Sequence, residues 1–229
     1  MVLSINTNLG AMVALQHLNS TNSMLENTQL RITTGLRVNG PKDDASTYAI
    51  AQNMRGDING MMAVKTAIAG GESTVNVALE GAVAINDLLL EMKAKVVQAN
   101  QAGLDATSRT ALHNDFDALR SQIETITGTA EFNGTNLIKA SAANLSVLST
   151  VDGSTIAVSA QTMDPTTLAI QSTTLLSSAG AATALTAIDT AITAVADKLA
   201  ALGSVSKRLE IQSDFTVKLI DILRAGVGN

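Results

Sequence analysis

The sequence predicts a mainly α-helical chain, an elongated antiparallel helical bundle or coiled coil with a small β-hairpin region. Three observations carry this. A heptad seam runs from Met61 to Ala99, two further helical stripes follow it, and a Ser/Thr-rich stretch between those stripes loses the helical spacing. With 229 residues and 46% hydrophobic side chains the chain can bury a sizeable core. Its aromatic residues are Phe116, Phe132, Phe215 and Tyr48, and Trp is absent. Small aliphatic side chains suit closely packed helices and leave little to line a ligand pocket with rings.

The first element falls in residues 1–40. Ile5, Leu9, Met12, Leu15, Leu18, Leu25 and Ile32 form an amphipathic helical pattern, while Asn6, Asn8, Asn19, Asn22 and Asn27 lower its intrinsic propensity, so such a helix needs a partner. Gly35 through Pro41 breaks the pattern and reads as a connector at a domain boundary.

Asp43 and Asp44 are N-cap candidates for a second helix starting at Ala45. Its seam is Met61, Val64, Ile68, Gly71, Val75, Ala78, Ala82, Ile85, Leu89, Met92, Val96 and Ala99, apolar everywhere but Gly71, and it calls for another helix to cover it. From 45 to 100 the rise is roughly 84 Å at ~1.5 Å per residue, and Gly56, Gly60, Gly70 and Gly71 mark places for a kink or a close backbone contact. Gly103 stops the helix. Asp105 or Ser108 caps the next, whose stripe Leu112, Phe116, Leu119, Ile123 and Ile126 runs to Gly128 and doubles back antiparallel. A last helix is written in Leu185, Ile188, Ile192, Val195, Leu199, Leu202, Ser206 and Leu209, continuing through Phe215, Leu219 and Ile222. It covers the long seam and brings the two chain ends together.

Between them, Leu145–Ser149 and Ile156–Val158 flank Val151-Asp152-Gly153-Ser154, where Asp-Gly suits a two-residue hairpin turn. Asp164-Pro165 marks another turn. The expected organisation is therefore 1–40, N-terminal helix and connector; 41–134, the first helices of a rod; 135–180, a variable β-hairpin region; and 181–229, the returning helix.

Composition and motifs exclude several function classes. A net charge of −5 with scattered Lys and Arg offers no basic face for nucleic acid or for an anionic membrane. The N-terminus lacks the basic start and apolar run of a signal peptide, so a secreted destination needs another route. There is no cysteine for disulfides or thiolate metal sites. His17 and His113 stand alone, without zinc-motif spacing, and read as surface or packing residues. No phosphate loop, nucleophile elbow or H-E-x-x-H motif occurs, so neither an enzyme nor a cofactor is expected. Asp43-Asp44 reads as capping rather than as a paired-carboxylate site, because adjacent helical residues point apart. N-x-[ST] triplets at Asn19, Asn133 and Asn144 arise readily by chance in a chain so full of Asn, Ser and Thr, and Ser/Thr glycosylation within 141–178 is the better expectation.

Several segments resemble bacterial flagellins. Ser4-Ile5-Asn6-Thr7-Asn8 is similar to their opening, Arg31-Ile32-Thr33-Thr34-Gly35-Leu36-Arg37-Val38-Asn39 to their helix-to-connector segment, and Lys42-Asp43-Asp44-Ala45 with Ala49-Ile50-Ala51 to an internal signature of the family. Phe132-Asn133-Gly134-Thr135 is similar to the family's entry to its β region. The likeness covers about 3–134 and 183–229.

The resemblance implies the flagellin core fold in a minimal form without outer domains. It implies a non-enzymatic subunit that self-assembles with other flagellin copies, after unfolded export by the flagellar type III apparatus with a secretion chaperone. Filament cap and hook-associated proteins are its further partners. Leu3, Ile5, Leu9, Met12, Leu15 and Leu18 become the expected polymer-core contacts, and Arg37, Asn39, Pro41 and Lys42 the connector. The family's further C-terminal helix is not written in this sequence, which leaves the Ile5–Ile32 seam without that intramolecular partner. Receptor-activating flagellins carry an Arg and a Leu where alignment on Gln98 places Glu91 and Lys95, while Asp115 keeps an acidic residue, so recognition by the innate receptor is expected to be weak. A hook–filament junction protein is the alternative structural reading. A flagellin-like peptidase would need a metal or nucleophile motif in 135–180, which holds no histidine.

Overall fold

The computed structural model describes residues 8–228. Its elements in order are α1 (Leu9–Thr34), α2 (Ala45–Ala99), α3 (Ala106–Thr129), the short strands β1 (Glu131–Phe132) and β2 (Thr135–Asn136), β3 (Leu145–Leu148) and β4 (Thr155–Val158), and α4 (Ser178–Gly228). The chain divides into two compact units: one takes in residues up to Met62 together with those from Lys218 on, and the other is Ala63–Val217.

In the Ala63–Val217 unit the heptad seam is buried as the spacing predicts. Val64, Ile68, Val75, Ala78, Ala82, Ile85, Leu89, Met92, Val96 and Ala99 are all in the core, with Phe116 and Ile123 from α3 and Ile188, Val195, Leu202 and Leu209 from α4. Antiparallel pairing of α2 with α4 follows from two contacts: Lys93 bridges Asp189 at 2.7 Å, and Asn76 lies 3.5 Å from Ser206, so a step down α2 is matched by an equal step along α4. Both long helices contain stretches long and apolar enough by composition to cross a membrane, and 39% and 28% of those stretches are buried within the structure.

Capping sets the helix ends. Asp44 accepts from the backbone N–H groups of Ser46 (3.0 Å) and Thr47 (3.1 Å), and Asp105 from that of Ser108 (2.9 Å). Asp43 instead accepts from the Asn39 backbone N–H at 3.1 Å, tying the connector to the start of α2. Hydrogen bonds from Thr47 hold the Asp44 carboxyl below its ordinary pKa, and those from Ser108 do the same for Asp105. The C-terminus of α2 is closed by a residue from α3: the buried Arg109 guanidinium donates to the carbonyls of Ala99 and Gln101, the latter at 3.1 Å.

Three expectations need correction, and a fourth is decided between its alternatives: of the kink and the close contact read at the α2 glycines, the close contact holds at Gly71, and the helix runs unbroken from Ala45 to Ala99. Gly71 is there for space, since a Cβ would sit 2.5 Å from Val147 Cγ2, and at Gly81 one would sit 2.8 Å from Ile138 Cδ1. Gly128 does not end α3, which continues to Thr129. The β3–β4 hairpin forms with Leu145 opposite Val158 and Leu148 opposite Thr155, but Asp152-Gly153 is not a two-residue turn. Ser149 N–H donates to the Ser154 carbonyl (2.8 Å) and Gly153 N–H to that of Thr150 (3.3 Å), giving a longer loop in which only Gly153 takes positive φ. Phe215 and Ile222 lie off the α4 seam, exposed, while Thr216 and Ile220 are buried in their stead. The heptad step from Leu209 lands on Thr216, which stays on the buried face, whereas Phe215 lies six residues on, where about 100° of turn per residue carries it roughly 120° off that face.

A second, smaller hairpin was not anticipated. Asn133 (φ 49°) and Gly134 (φ 77°) form a turn with positive φ at both central residues, pairing Phe132 with Thr135. Behind it the buried Asn136 side chain donates to the Thr127 carbonyl (2.8 Å) and accepts from the backbone N–H groups of Ile138 and Lys139 (both 2.9 Å), locking the exit of α3 to the β region.

Candidate functional site

Helix α1 has no buried residue. Leu9, Met12, Leu15 and Leu18, together with Leu25 and Ile32, are exposed along its length, from 54% at Leu25 to 77% at Leu9. Leu3 and Ile5, the other two predicted contacts, lie outside the described residues. The helix is nonetheless sharply delimited. The Asn8 side chain accepts from the Ala11 N–H at 3.2 Å, and Gly35 (φ 67°) caps the other end with its N–H donated to the Arg31 carbonyl at 2.9 Å.

The threonines of α1 turn inward on their own helix. Thr21, Thr28, Thr33 and Thr34 each donate the hydroxyl to the carbonyl four residues back, at 2.7–2.9 Å. Their hydroxyl protons are thereby used within the helix, which lowers the desolvation cost of covering these faces. A stripe of Leu and Met side chains thus stands on a helix whose ends are defined and whose threonine hydroxyls are satisfied, uncovered by any of the described residues.

The connector residues Arg37, Asn39, Pro41 and Lys42 follow directly. Arg37 and Val38 line a groove with Thr47, Ile50, Ala51 and Met54 of α2 and with Gly226 and Val227 at the end of α4. The returning helix therefore meets the connector and the first turns of α2, and not the apolar stripe of α1; the expected meeting of the two chain ends falls on residues outside those described.

The three receptor-equivalent positions are brought together on the α2–α3 face. Lys95 Nζ bonds Asp115 Oδ2 at 2.7 Å, Glu91 is exposed one turn away, and the hydrogen bond to Asp115 raises the Lys95 pKa above its ordinary value. No group of three or more His, Cys, Asp or Glu side chains among the described residues could hold a metal ion. His113 sits 3.7 Å from Asp117, one turn along α3, and His17 is exposed on α1.

Periodicity reasoning assigned α2 a single apolar face and missed a second one. Val83, Leu90 and Val97 recur every seven residues on its outer side and are all exposed. It also missed Arg109, whose closure of α2 has no local sequence signature because the donor sits on α3 and its acceptors at the end of α2 and just beyond it.

Comparison with known proteins places these surfaces in context. The family described as the bacterial flagellin N-terminal helical region matches residues 5–143. Flagellin FljK of Caulobacter vibrioides is 42% identical over 227 residues, covering 99% of this chain and 83% of that protein. Flagellin C of Rhizobium meliloti is 29% identical over 98% of this chain and 86% of its own length. Among solved structures, a Bacillus cereus flagellin superposes with a TM-score of 0.59 at 27% identity, covering 64% of this chain and 86% of that one. A flagellar hook-associated protein of Vibrio parahaemolyticus gives 0.68 over 82% and 99%, and at 15% identity it shows the shared fold alone.

Proposed function

The chain belongs to the bacterial flagellin family and is a structural subunit of the flagellar filament, and from that premise we propose how its residues divide the work. The exposed stripe of α1, with Leu9, Met12, Leu15 and Leu18 at its head and Leu3 and Ile5 before it, is the polymer-core contact. The observation that carries this is a 26-residue helix with capped ends and not one buried side chain. Its apolar side chains gain about 25 cal/mol for each Å² removed from water, and in this chain nothing among the described residues removes it.

Arg37, Asn39, Pro41 and Lys42 form the connector between that contact and the rod, with Asp43 and Asp44 fixing where the rod begins. Residues 1–40 act as the assembly segment, 41–134 and 181–229 as the rod, and 135–180 as the variable region. Copies stack by a heterologous contact, which grows an open helix instead of a closed ring. The subunit leaves the cell unfolded through the flagellar export apparatus, accompanied by a secretion chaperone, and meets filament cap and hook-associated proteins outside. The absence of cysteine agrees with export of an unfolded chain. A hook–filament junction role is the less favoured reading, because the relatives that span nearly the whole chain are flagellins.

Recognition by the innate receptor is weak in this reading. Asp115 retains the acidic residue, but Lys95 occupies its carboxylate, and Glu91 stands where receptor-activating relatives carry a cation. Electron microscopy of purified protein at polymerising concentration tests the assembly role: fibres support it, and a strictly monomeric protein under all such conditions refutes it.

A further inference from the structure

Two exposed stripes in the Ala63–Val217 unit are not explained by its core. On α2 the outer face carries Val83, Asp87, Leu90, Ala94 and Val97, all exposed, with Leu90 at 50%. On α4 the outer face carries Arg208, Ile211 and Phe215, also exposed, with Phe215 at 56%, and Lys218 stands one turn further along the same helix. None of these charged groups takes part in the ion pairs of the described residues, which engage Lys93, Lys95, His113, Arg120 and Lys207 with acidic partners elsewhere.

Building on the filament-subunit reading, we propose that the α2 stripe of one copy docks antiparallel on the α4 stripe of a second copy, with Leu90 against Phe215 and Asp87 against Lys218. Three features select this occupant. The spacings match: 87, 90, 94 and 97 ascend by three, four and three, and 218, 215, 211 and 208 descend by the same steps. In that register Asp87 meets Lys218, Leu90 meets Phe215, the small Ala94 meets Ile211, and Val97 lies under the stem of Arg208. Apolar side chains face apolar ones and the acid faces a base, which fixes the register as e and g charges do in coiled coils.

Direction is set by the fold. Copies that grow an open helix share one orientation, and α2 and α4 run antiparallel inside this unit, so α2 of one copy meets α4 of another antiparallel as well. The two stripes also stand at different levels. Glu72 feels the charges of Glu210 and Asp214, whereas Lys93 lies level with Asp189. Bringing Phe215 of one copy to Leu90 of another therefore displaces the copies along the helices by roughly 35 Å, at ~1.5 Å per residue. The contact is head-to-tail and cannot close on itself as a twofold dimer.

Absence of cysteine makes the register directly readable. Leu90→Cys and Phe215→Cys variants are mixed, polymerised and oxidised, and a disulfide requires Cα atoms closer than about 7 Å. A mixed L90C–F215C cross-linked dimer in filaments, together with A94C–I211C, supports the proposal. L90C–I211C cross-linking instead indicates a parallel register and overturns it, as does the absence of any cross-link in well-formed filaments, a result that leaves the filament role intact. Failure of the unsubstituted chain to form filaments overturns both. As an independent arm, Asp87→Lys and Lys218→Asp each raise the critical concentration tenfold or more, and their combination in one chain restores it; loss without restoration counts against the pairing.

Discussion

Gly71 in the middle of α2 faces Val147 of β3 so closely that a Cβ on the glycine would lie 2.5 Å from one valine methyl and 3.0 Å from the other. This contact is how the hairpin seats on the long helix. Gly71→Ala is therefore expected to lower stability by about 1–3 kcal/mol through overpacking, even though alanine is the better helix former by about 1 kcal/mol. The double variant Gly71→Ala, Val147→Ala should recover part of the loss. Gly70→Ala is the control: nothing lies within 4 Å of its Cβ position, so it is expected to stabilise by about 0.5–1 kcal/mol. Denaturant unfolding of the four proteins decides the matter, and an unchanged midpoint for Gly71→Ala would show that the hairpin moves freely on α2.

Arg109 closes the end of α2 through two backbone carbonyls while itself buried. Arg109→Met keeps much of the volume but leaves both carbonyls without the guanidinium, at an expected cost of about 2–3 kcal/mol. Arg109→Lys, with a single ammonium in place of the planar fork, should fall between the two. Thermal melting checks the order, and equal melting temperatures for all three would refute the capping role.

Glu72 has a carboxyl oxygen buried without a hydrogen-bond partner, and burial together with the nearby Glu210 and Asp214 raises its pKa. The folded state therefore binds its proton more tightly than the unfolded state. The resulting stabilisation is fully present below the ordinary glutamate range and is lost as pH rises through the raised folded value. Glu72→Gln should melt roughly 2–4 °C higher at neutral pH, and the gain should vanish in acid where the native glutamate is already protonated. A pH-independent gain would point to packing as the cause.

Asp44→Ala removes the acceptor for two backbone N–H groups and is expected to loosen the start of α2, visible as faster amide exchange in its first turn. Its carboxyl is held below the usual pKa by Thr47, so this contribution is present above the ordinary aspartate range and fades as pH falls through the lowered folded value. Exchange rates at Ser46 and Thr47 that match the unsubstituted chain would remove the cap from the account.

The core of the Ala63–Val217 unit was legible in the sequence because a heptad repeat lays its apolar positions on one face of a helix: the seam from Val64 to Ala99 is buried residue for residue. The caps at Asp44 and Asp105 were legible because capping chemistry is local. What escaped was set by tertiary contact. Gly71 read equally as a kink or a close contact until Val147 was seen against it, and Arg109 gave no local sign of reaching across to Ala99 and Gln101. Phe215 was drawn into the core by its hydrophobicity and belongs to the outer face of α4. The α1 stripe was readable as apolar, yet only the fold shows that no described part of this chain covers it.

The central claim is that this stripe exists for other copies of the chain and contributes nothing to the fold of its own. Leu15→Asp combined with Leu18→Asp tests it most directly, with thermal melting and filament formation by electron microscopy measured on the same preparation. The account predicts an unchanged melting temperature and no filaments. Filaments indistinguishable from those of the unsubstituted chain, or a lowered melting temperature in the isolated subunit, would contradict it.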